Sequence, residues 1–184
     1  MLYLASKSPR RRELLNQLGI KFEVVDGSVI ETPISGESPE DYVARLAREK
    51  SAAGQCNVAS DDIVLGSDTI VVVDHAILEK PKNFEDFRAM FAQLSGRAHQ
   101  VLTAVAVRKG QALEQVLVSS DVYFRNVSEQ EVLAYWQTGE PQDKAGGYAI
   151  QGMAGKFVTR IDGSYSAIVG LPLYETEQLL NCLI

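Results

Sequence analysis

The chain has 184 residues, of which 46% are hydrophobic and 23% are charged, and its formal net charge is −6. This length predicts one domain over residues 1–184, or two closely joined lobes, and the apolar content is enough to bury a core without disulfides or a structural metal. The negative charge argues weakly against a nucleic-acid partner, since nucleic-acid-binding proteins usually carry a basic excess.

The cysteines, the histidines and the lengths of the apolar runs narrow the class of protein further. The two cysteines and two histidines show no spacing typical of a zinc site. The first apolar run, Met1 to Ala5, is too short for the core of a secretory signal, and basic residues follow it. No stretch approaches the roughly 18 apolar residues that a membrane helix needs. We therefore expect a cytoplasmic protein with no membrane partner.

Strand and helix patterns alternate along the chain, which predicts an α/β fold. The first half is expected to hold strands at 2–5, 22–25 and 63–73 (one strand or a strand pair), with helices from Pro9 to Gly19 and from Pro39 to about Gly54. The second half is expected to hold helices from Asn83, Ser128 and Pro172, strands at 101–107, 113–124, 156–162 and 166–170, and a glycine-rich loop at 139–155 with Asp143-Lys144 inside it.

The first helix begins with an unusual concentration of positive charge, in the segment Ser6-Lys7-Ser8-Pro9-Arg10-Arg11-Arg12. Positive charge at a helix N-terminus opposes the helix dipole, so three arginines there are unfavourable unless something negative binds. The free N–H groups, hydroxyls and guanidiniums suit phosphate oxygens. The segment is therefore either a phosphate site, which we favour, or an exposed basic first turn with a serine cap.

Asp68 interrupts the apolar run at 63–73. An ionised carboxylate in such a run is costly unless it is paired, hydrogen-bonded or bound to a metal. It is either a functional carboxylate at a strand end that faces a cleft, or an aspartate that caps backbone at a bulge or strand end.

Lys50 lies on the same helical face as Val43, Leu46 and Ala47, so its side chain is expected to point inward. It is either a lysine with a buried stem and a solvated head, or a cation held for an anionic ligand. Glu31, in a loop, and Lys80, in a polar turn, are on their own ordinary solvated residues.

Taken in order, several segments make the chain similar to the Maf family of nucleotide pyrophosphatases, earlier known as septum-formation inhibitors. The match runs from Leu2 to about Leu180 and rests on residues 4–11, 46–50, 66–69, 79–81, 143–148, 150–152 and 170–173. Asp68-Thr69 and Ile150-Gln151-Gly152 resemble the dTTP and UTP branch, since the 7-methyl-GTP branch has Asp-Gln at the first pair. Ser120 and Tyr123 depart from the family, where threonines are usual.

The resemblance implies an elongated mixed sheet with flanking helices and two lobes around a cleft, similar to the inosine-triphosphate pyrophosphatase fold. It implies a homodimer that uses Mg²⁺ or Mn²⁺ and hydrolyses dTTP, UTP and modified pyrimidine nucleotides to the monophosphate and pyrophosphate, which removes non-standard nucleotides. The alternatives are a related pyrophosphatase for 7-methyl-GTP or inosine triphosphate, and a nucleotide-binding regulator of cell division.

The same resemblance implies the site residues. Asp68 is the expected general base, Lys50 and Lys80 are the expected catalytic cations, and Glu31 and Asp68 are the expected metal ligands. The substrate-binding residues are Ser6, Ser8, Arg10, Arg11, Thr69 and Gln151, of which Thr69 and Gln151 are expected to contact the base. Because neighbouring side chains of a strand face opposite ways, a bend at Gly66 is expected to bring Asp68 and Thr69 to one ligand.

Overall fold

The computed structural model describes residues 1–183, which form one mixed sheet with helices on both faces. The strands are β1 (Leu2–Leu4), β2 (Phe22–Val24), β3 (Ile63–Val73), β4 (Ala76–Leu78), β5 (Ala98–Lys109), β6 (Ala112–Phe124) and β7 (Val158–Asp162). The helices are α1 (Pro9–Gln17), α2 (Pro39–Gln55), α3 (Phe84–Leu94), α4 (Glu129–Gln137), α5 (Tyr165–Val169) and α6 (Leu173–Leu183). No helix among residues 1–183 is long and apolar enough to span a membrane.

The sheet order is β2-β1-β3-β5-β6-β7, and β4 pairs with β3 as a hairpin. β1 pairs in parallel with β2 and β3, whereas the pairs from β3 through β5 and β6 to β7 are antiparallel. The predicted mixed α/β class is confirmed, and the apolar run at 63–73 is one strand rather than a pair.

The predicted strand at 166–170 is wrong, because this segment is helix α5. The Ser164 hydroxyl accepts the N–H of Ala167, which caps a helix at this point. The edge of β6 near this segment is already paired with β7, so a strand at 166–170 has no partner there. The glycine-rich loop forms three short 3₁₀ turns, at Glu140–Asp143, Ala145–Gly147 and Met153–Phe157.

Two apolar cores lie on one face of the sheet, at opposite ends of the long strands. Ile63 and Leu65 of β3 belong to the first core, under α1 and α6, and Val71 and Val73 belong to the second, with α3 and α4. A third core fills the opposite face, under α2. Between the first two cores β3 carries polar residues, so the molecule has a lobe at each end of these strands.

One edge of β3 is open at its centre. β5 pairs with β3 along nearly its whole length. On the other edge, β1 pairs with residues 63–65 and β4 with residues 71–73. The stretch 66–70 therefore has no strand neighbour on that edge among residues 1–183, and this gap opens a passage between the two faces of the sheet.

Candidate active site

A cleft of about 600 Å³ lies at the gap in the sheet. This volume is within the range usual for small-molecule sites. Its walls come from the start of α1, the inner face of α2, the centre of β3, the turn after β4 and the loop at 143–151. The structure brings all of the predicted site residues to this one cleft: Ser6, Ser8, Arg10, Arg11, Glu31, Lys50, Asp68, Thr69, Lys80 and Gln151.

Lys50 joins the two carboxylates of the site. Its Nζ atom lies 2.6 Å from Asp68 Oδ1 and 2.6 Å from Glu31 Oε1. Lys50 and Asp68 are buried, at 9% and 7% exposure, whereas the side chain of Glu31 is 46% exposed. The lysine therefore compensates a buried carboxylate, and its amine stays in the cleft rather than in bulk water.

Asp68 lies in the middle of β3, so both predictions that put it at a strand end or a bulge are wrong. Its pairing with Ala104 of β5 is regular, with no register shift. The carboxylate reaches the cleft because β3 lacks a neighbour on its other edge there. Asp68 Oδ2 accepts no hydrogen bond from residues 1–183, which leaves it available to a ligand or water.

The predicted bend at Gly66 is also wrong. β3 and β5 stay in register from Ile63 to Val72, and Asp68 and Thr69 face opposite sides of the sheet. Both side chains line the cleft because the passage connects the two faces. Gly66 serves the packing of α2 instead: a Cβ there would lie 2.4 Å from the carbonyl oxygen of Ala47 and 2.5 Å from the amide nitrogen of Ser51.

Arg11 is held at the start of α1 by neutral partners. Its Nε donates to the Gly170 carbonyl at 2.9 Å, Nη1 to Ser6 Oγ at 3.4 Å and Nη2 to Thr69 Oγ1 at 3.2 Å. None of the ion pairs within residues 1–183 includes Arg11. Burial lowers the pKa of this guanidinium, although the charge of Asp68 partly offsets that effect. A partly buried cation without an acidic partner favours an anionic ligand.

The hydroxyl oxygen of Thr69 is held by two donors, Arg11 and Thr103. Thr103 Oγ1 lies 2.7 Å from the Ala167 carbonyl and 3.0 Å from Thr69 Oγ1. Thr103 Oγ1 is the donor to both oxygens, which share its one hydrogen. Thr69 Oγ1 therefore accepts from Thr103 and from Arg11 Nη2, and these contacts hold it beside Arg11.

Ser6 and Ser8 of the basic segment accept hydrogen bonds from the backbone and also line the cleft. Ser8 Oγ accepts the N–H of Arg11 at 3.5 Å and caps α1, as predicted. Ser6 Oγ accepts the N–H of Ser8 at 3.2 Å. Both oxygens keep a hydroxyl hydrogen for an anion, because a backbone N–H uses only a lone pair.

Charges across the cleft influence Glu31. Burial raises the pKa of this carboxyl, but the hydrogen bond and charge of Lys50, with further contributions from Lys80 and Arg11, outweigh it and lower the pKa overall. Lys80 is exposed and takes part in none of the ion pairs of residues 1–183. The positive side chains thus surround the carboxylates from several elements.

The donor set fits one type of metal ion. Within residues 1–183 no group of three or more His, Cys, Asp or Glu side chains could hold a metal. Asp68 and Glu31 are the two carboxylates that meet at Lys50. Mg²⁺ is usually bound by one or two carboxylates together with substrate phosphates and water, so this pair fits an ion that enters with a phosphorylated ligand.

Residues that sequence reasoning missed also line the cleft. Tyr42 precedes Lys50 by two turns on the inner face of α2, and burial together with Asp68 raises its pKa to about 12. Lys144 pairs with Asp143, and its side chain is only 14% exposed. The helical spacing between Tyr42 and Lys50 was a signal for the first residue. The position of Lys144 depends on the fold of the glycine-rich loop, which no local pattern specifies.

Comparison with known proteins identifies relatives over the whole chain. A family model described as "Maf-like protein" matches residues 1–183. The dTTP/UTP pyrophosphatase of Vibrio cholerae is 57% identical, covering 98% of this chain and 96% of that protein. The dTTP/UTP pyrophosphatase of Pseudoalteromonas atlantica is 53% identical, with the same coverage of 98% and 96%.

Among solved structures, the nucleoside-triphosphatase, or dITP/XTP pyrophosphatase, of Mycobacterium abscessus aligns with a TM-score of 0.45 and 18% identity. The alignment covers 67% of this chain and 73% of that one.

Proposed function

The chain belongs to the Maf family, and we propose that it is a nucleoside triphosphate pyrophosphatase that hydrolyses dTTP, UTP and modified pyrimidine nucleotides to the monophosphate and pyrophosphate. The names of relatives that are 53–57% identical over nearly the whole chain support this substrate class. The observation that carries the proposal is the arrangement in the cleft. A buried acid–lysine pair, Asp68 and Lys50, shares the cleft with Arg11, a cation that has no acidic partner within residues 1–183.

Phosphate binding falls to the basic side chains. A triphosphate carries several negative charges, and Arg10, Arg11, Lys50 and Lys80 line the cleft that would receive it. Positive groups fixed in a partly dry cleft stabilise the charge that develops as pyrophosphate leaves. Ser6 and Ser8 add hydroxyl donors at the helix start, where the dipole of α1 also favours an anion.

Asp68 acts as the general base. Lys50 holds Oδ1, so Oδ2 is the oxygen that takes a proton from the water attacking the α-phosphorus. The bond from that phosphorus to the bridging oxygen breaks, and pyrophosphate leaves with the electron pair. General-base catalysis typically contributes ~10²–10⁴ in rate. Glu31 and Asp68 would hold the divalent cation, Mg²⁺ or Mn²⁺, which neutralises phosphate charge when bound.

Gln151 selects the base. Its amide offers a donor and an acceptor, which match O4 and N3–H of uracil or thymine. Cytosine reverses the pattern at both positions, so the same amide orientation does not fit it. The hydroxyl oxygen of Thr69 already accepts from Thr103 and from Arg11. We therefore assign base discrimination mainly to Gln151, and a part in holding Arg11 to Thr69.

A nucleotide panel tests the proposal. Pyrophosphate release is measured for dTTP, UTP, CTP, ATP, GTP, 7-methyl-GTP and inosine triphosphate, each with Mg²⁺ and with Mn²⁺. We expect the highest kcat/KM for dTTP and UTP, with little difference between them, since thymine carries the 5-methyl group. Faster hydrolysis of 7-methyl-GTP or inosine triphosphate contradicts the branch assignment, and nucleotide binding without turnover favours a regulator.

The same proposal includes the setting of the enzyme. We expect the chain to work as a single domain, as a homodimer, in the cytoplasm and on a small-molecule substrate, as the resemblance to its family implies. Sedimentation at micromolar concentration measures the oligomeric state, and a monomer under those conditions contradicts the homodimer.

A further inference from the structure

The turn that carries Gln151 is defined by its own backbone. The Gly152 N–H donates to the Ala149 carbonyl at 3.0 Å, which closes a β-turn over residues 149–152. Gln151 occupies the third position of this turn, is exposed and lines the cleft. The direction of a side chain at the tip of a turn therefore depends on how firmly the two ends of that turn are held.

Both ends of the turn are held by one pair of side chains, Tyr135 of α4 and Glu140. The Tyr135 hydroxyl donates to Glu140 Oε1 at 2.6 Å and accepts the N–H of Ala149 at 3.2 Å. The carboxylate of Glu140 accepts the N–H of Met153 at 3.1 Å and 3.2 Å, through its two oxygens. The pair thus fixes the backbone at the first residue of the turn and at the residue that follows the turn.

The pair is itself rigid. Tyr135 is 1% exposed, and its ring packs against the rings of Phe87, Phe91 and Phe157. The carboxylate also lies directly against Gly152: a Cβ on that glycine would come within 2.4–2.6 Å of the Glu140 carboxylate atoms. The backbone of Gly152 therefore packs directly against the Glu140 carboxylate, with no room for a side chain between them.

We propose that Tyr135 and Glu140 are positioning residues that set the base preference of this enzyme by aiming the Gln151 amide. The proposal rests on the proposed function, in which Gln151 recognises the pyrimidine edge. Neither residue lies among those that line the cleft, so their influence on the base passes through the turn. Hydrogen-bond recognition of a base depends on the orientation of the amide, and so loosening the turn weakens discrimination more than turnover.

Tyr135→Phe tests the proposal, because it removes the hydroxyl and keeps the ring in the core. The readout is the ratio of kcat/KM for UTP to that for CTP. We expect the ratio to fall about tenfold, the effect of a lost buried hydrogen bond of ordinary strength, while kcat for UTP changes less than about threefold. Ser95→Ala is the matched control: it breaks hydrogen bonds to the backbone of Val127 in the same lobe, away from the turn. Its ratio should equal that of the wild type.

A double-mutant cycle shows whether Tyr135 acts through Gln151. In a Gln151→Ala background, Tyr135→Phe should change the ratio no further, because the amide that the pair aims is gone. An unchanged ratio in Tyr135→Phe alone, or an equal fall in both backgrounds, overturns the proposal.

Failure of the proposed function gives a different result. If the wild type releases no pyrophosphate from UTP or dTTP, the enzymatic proposal fails. The preference for UMP over CMP, measured by titration calorimetry on the wild type and Tyr135→Phe, then decides the role of the pair. An equal preference in the two proteins overturns it, and a lower one in the variant supports it.

Discussion

Asp68, in the middle of a central strand, is paired with Lys50 of the helix that covers it, at 2.6 Å between Oδ1 and Nζ. Both residues are less than 10% exposed, and the second carboxylate oxygen is left without a partner from residues 1–183. The pair explains how a carboxylate is kept in a buried strand and yet has one oxygen free for a proton.

Asp68→Asn should separate catalysis from stability. The amide keeps an oxygen for Lys50 but is not a base, so we expect kcat to fall at least ~10²-fold. The free energy of unfolding should fall by about 1–3 kcal/mol, because a hydrogen bond to a charged group is replaced by a neutral one. Steady-state kinetics and urea unfolding measure the two effects. Turnover close to that of the wild type would remove Asp68 from the mechanism.

Thr103→Val should weaken phosphate binding for every nucleotide alike. The variant removes the hydroxyl that donates to Thr69 Oγ1, and so disturbs one of the contacts that hold Arg11. We expect kcat/KM to fall about tenfold for UTP and for CTP, which leaves their ratio unchanged. Thr103→Ser keeps the hydroxyl and should restore most of the loss. A change in the ratio of kcat/KM for UTP to that for CTP, in place of an equal fall for both nucleotides, contradicts this role.

Gly66→Ala should disturb both stability and the site. Its Cβ would meet backbone atoms of α2 at 2.4 Å and 2.5 Å, and these cannot rotate away as a side-chain end could. We expect a loss of about 1–3 kcal/mol or more in the free energy of unfolding, as for other overpacked positions. Because α2 carries Lys50, kcat should fall as well. Wild-type stability and turnover together would show that α2 is free to shift without cost to the pair.

The stability of the protein should decrease on acidification through His99. This residue is buried, its Nε2 lies 2.6 Å from the Tyr148 hydroxyl, and burial, with a smaller effect of Arg97, lowers its pKa from 6.5 to about 4. Between these values the unfolded chain binds a proton that the folded chain does not. The stability is therefore complete above pH 6.5 and falls as the pH approaches 4, by at most about 3 kcal/mol.

His99→Phe isolates this contribution, since it keeps an aromatic ring against Phe124 and Tyr148 and cannot titrate. Urea unfolding at pH 7.0 and pH 4.5 gives the free-energy difference for each protein. We expect the wild type to lose more stability than the variant over this interval. Equal losses would assign the pH dependence to carboxylates elsewhere in the chain.

Local sequence signals predicted most of the fold. Serine and asparagine caps placed the helices, as at Ser8, Ser38 and Asn83, because these side chains meet the free N–H groups of a helix start. The exception was α5, whose five residues are too short for a helical period and carry the β-branched Ile168 and Val169. Its cap, Ser164, was the signal that was present but overlooked.

The site was predicted as a set of residues but not as an arrangement. Charge and burial arguments singled out Lys50, Asp68 and three arginines, and the structure brings Lys50, Asp68, Arg10 and Arg11 to one cleft, whereas Arg12 does not line it. The open edge of β3 could not be predicted, because it depends on where β1 and β4 end, which is a matter of tertiary pairing. A bend at Gly66 was expected to bring Asp68 and Thr69 to one ligand. In the structure β3 stays regular, and both side chains reach the cleft because β3 lacks a neighbouring strand there.

The most direct test of the central claim is hydrolysis of UTP in ¹⁸O-labelled water, with the position of the label read by mass spectrometry. Attack at the α-phosphorus, with Asp68 as base, places the label in UMP and leaves unlabelled pyrophosphate as the co-product. We predict this result for the wild type, and the same label position at a much lower rate for Asp68→Asn. Label in orthophosphate, with UDP as the co-product, would contradict the account.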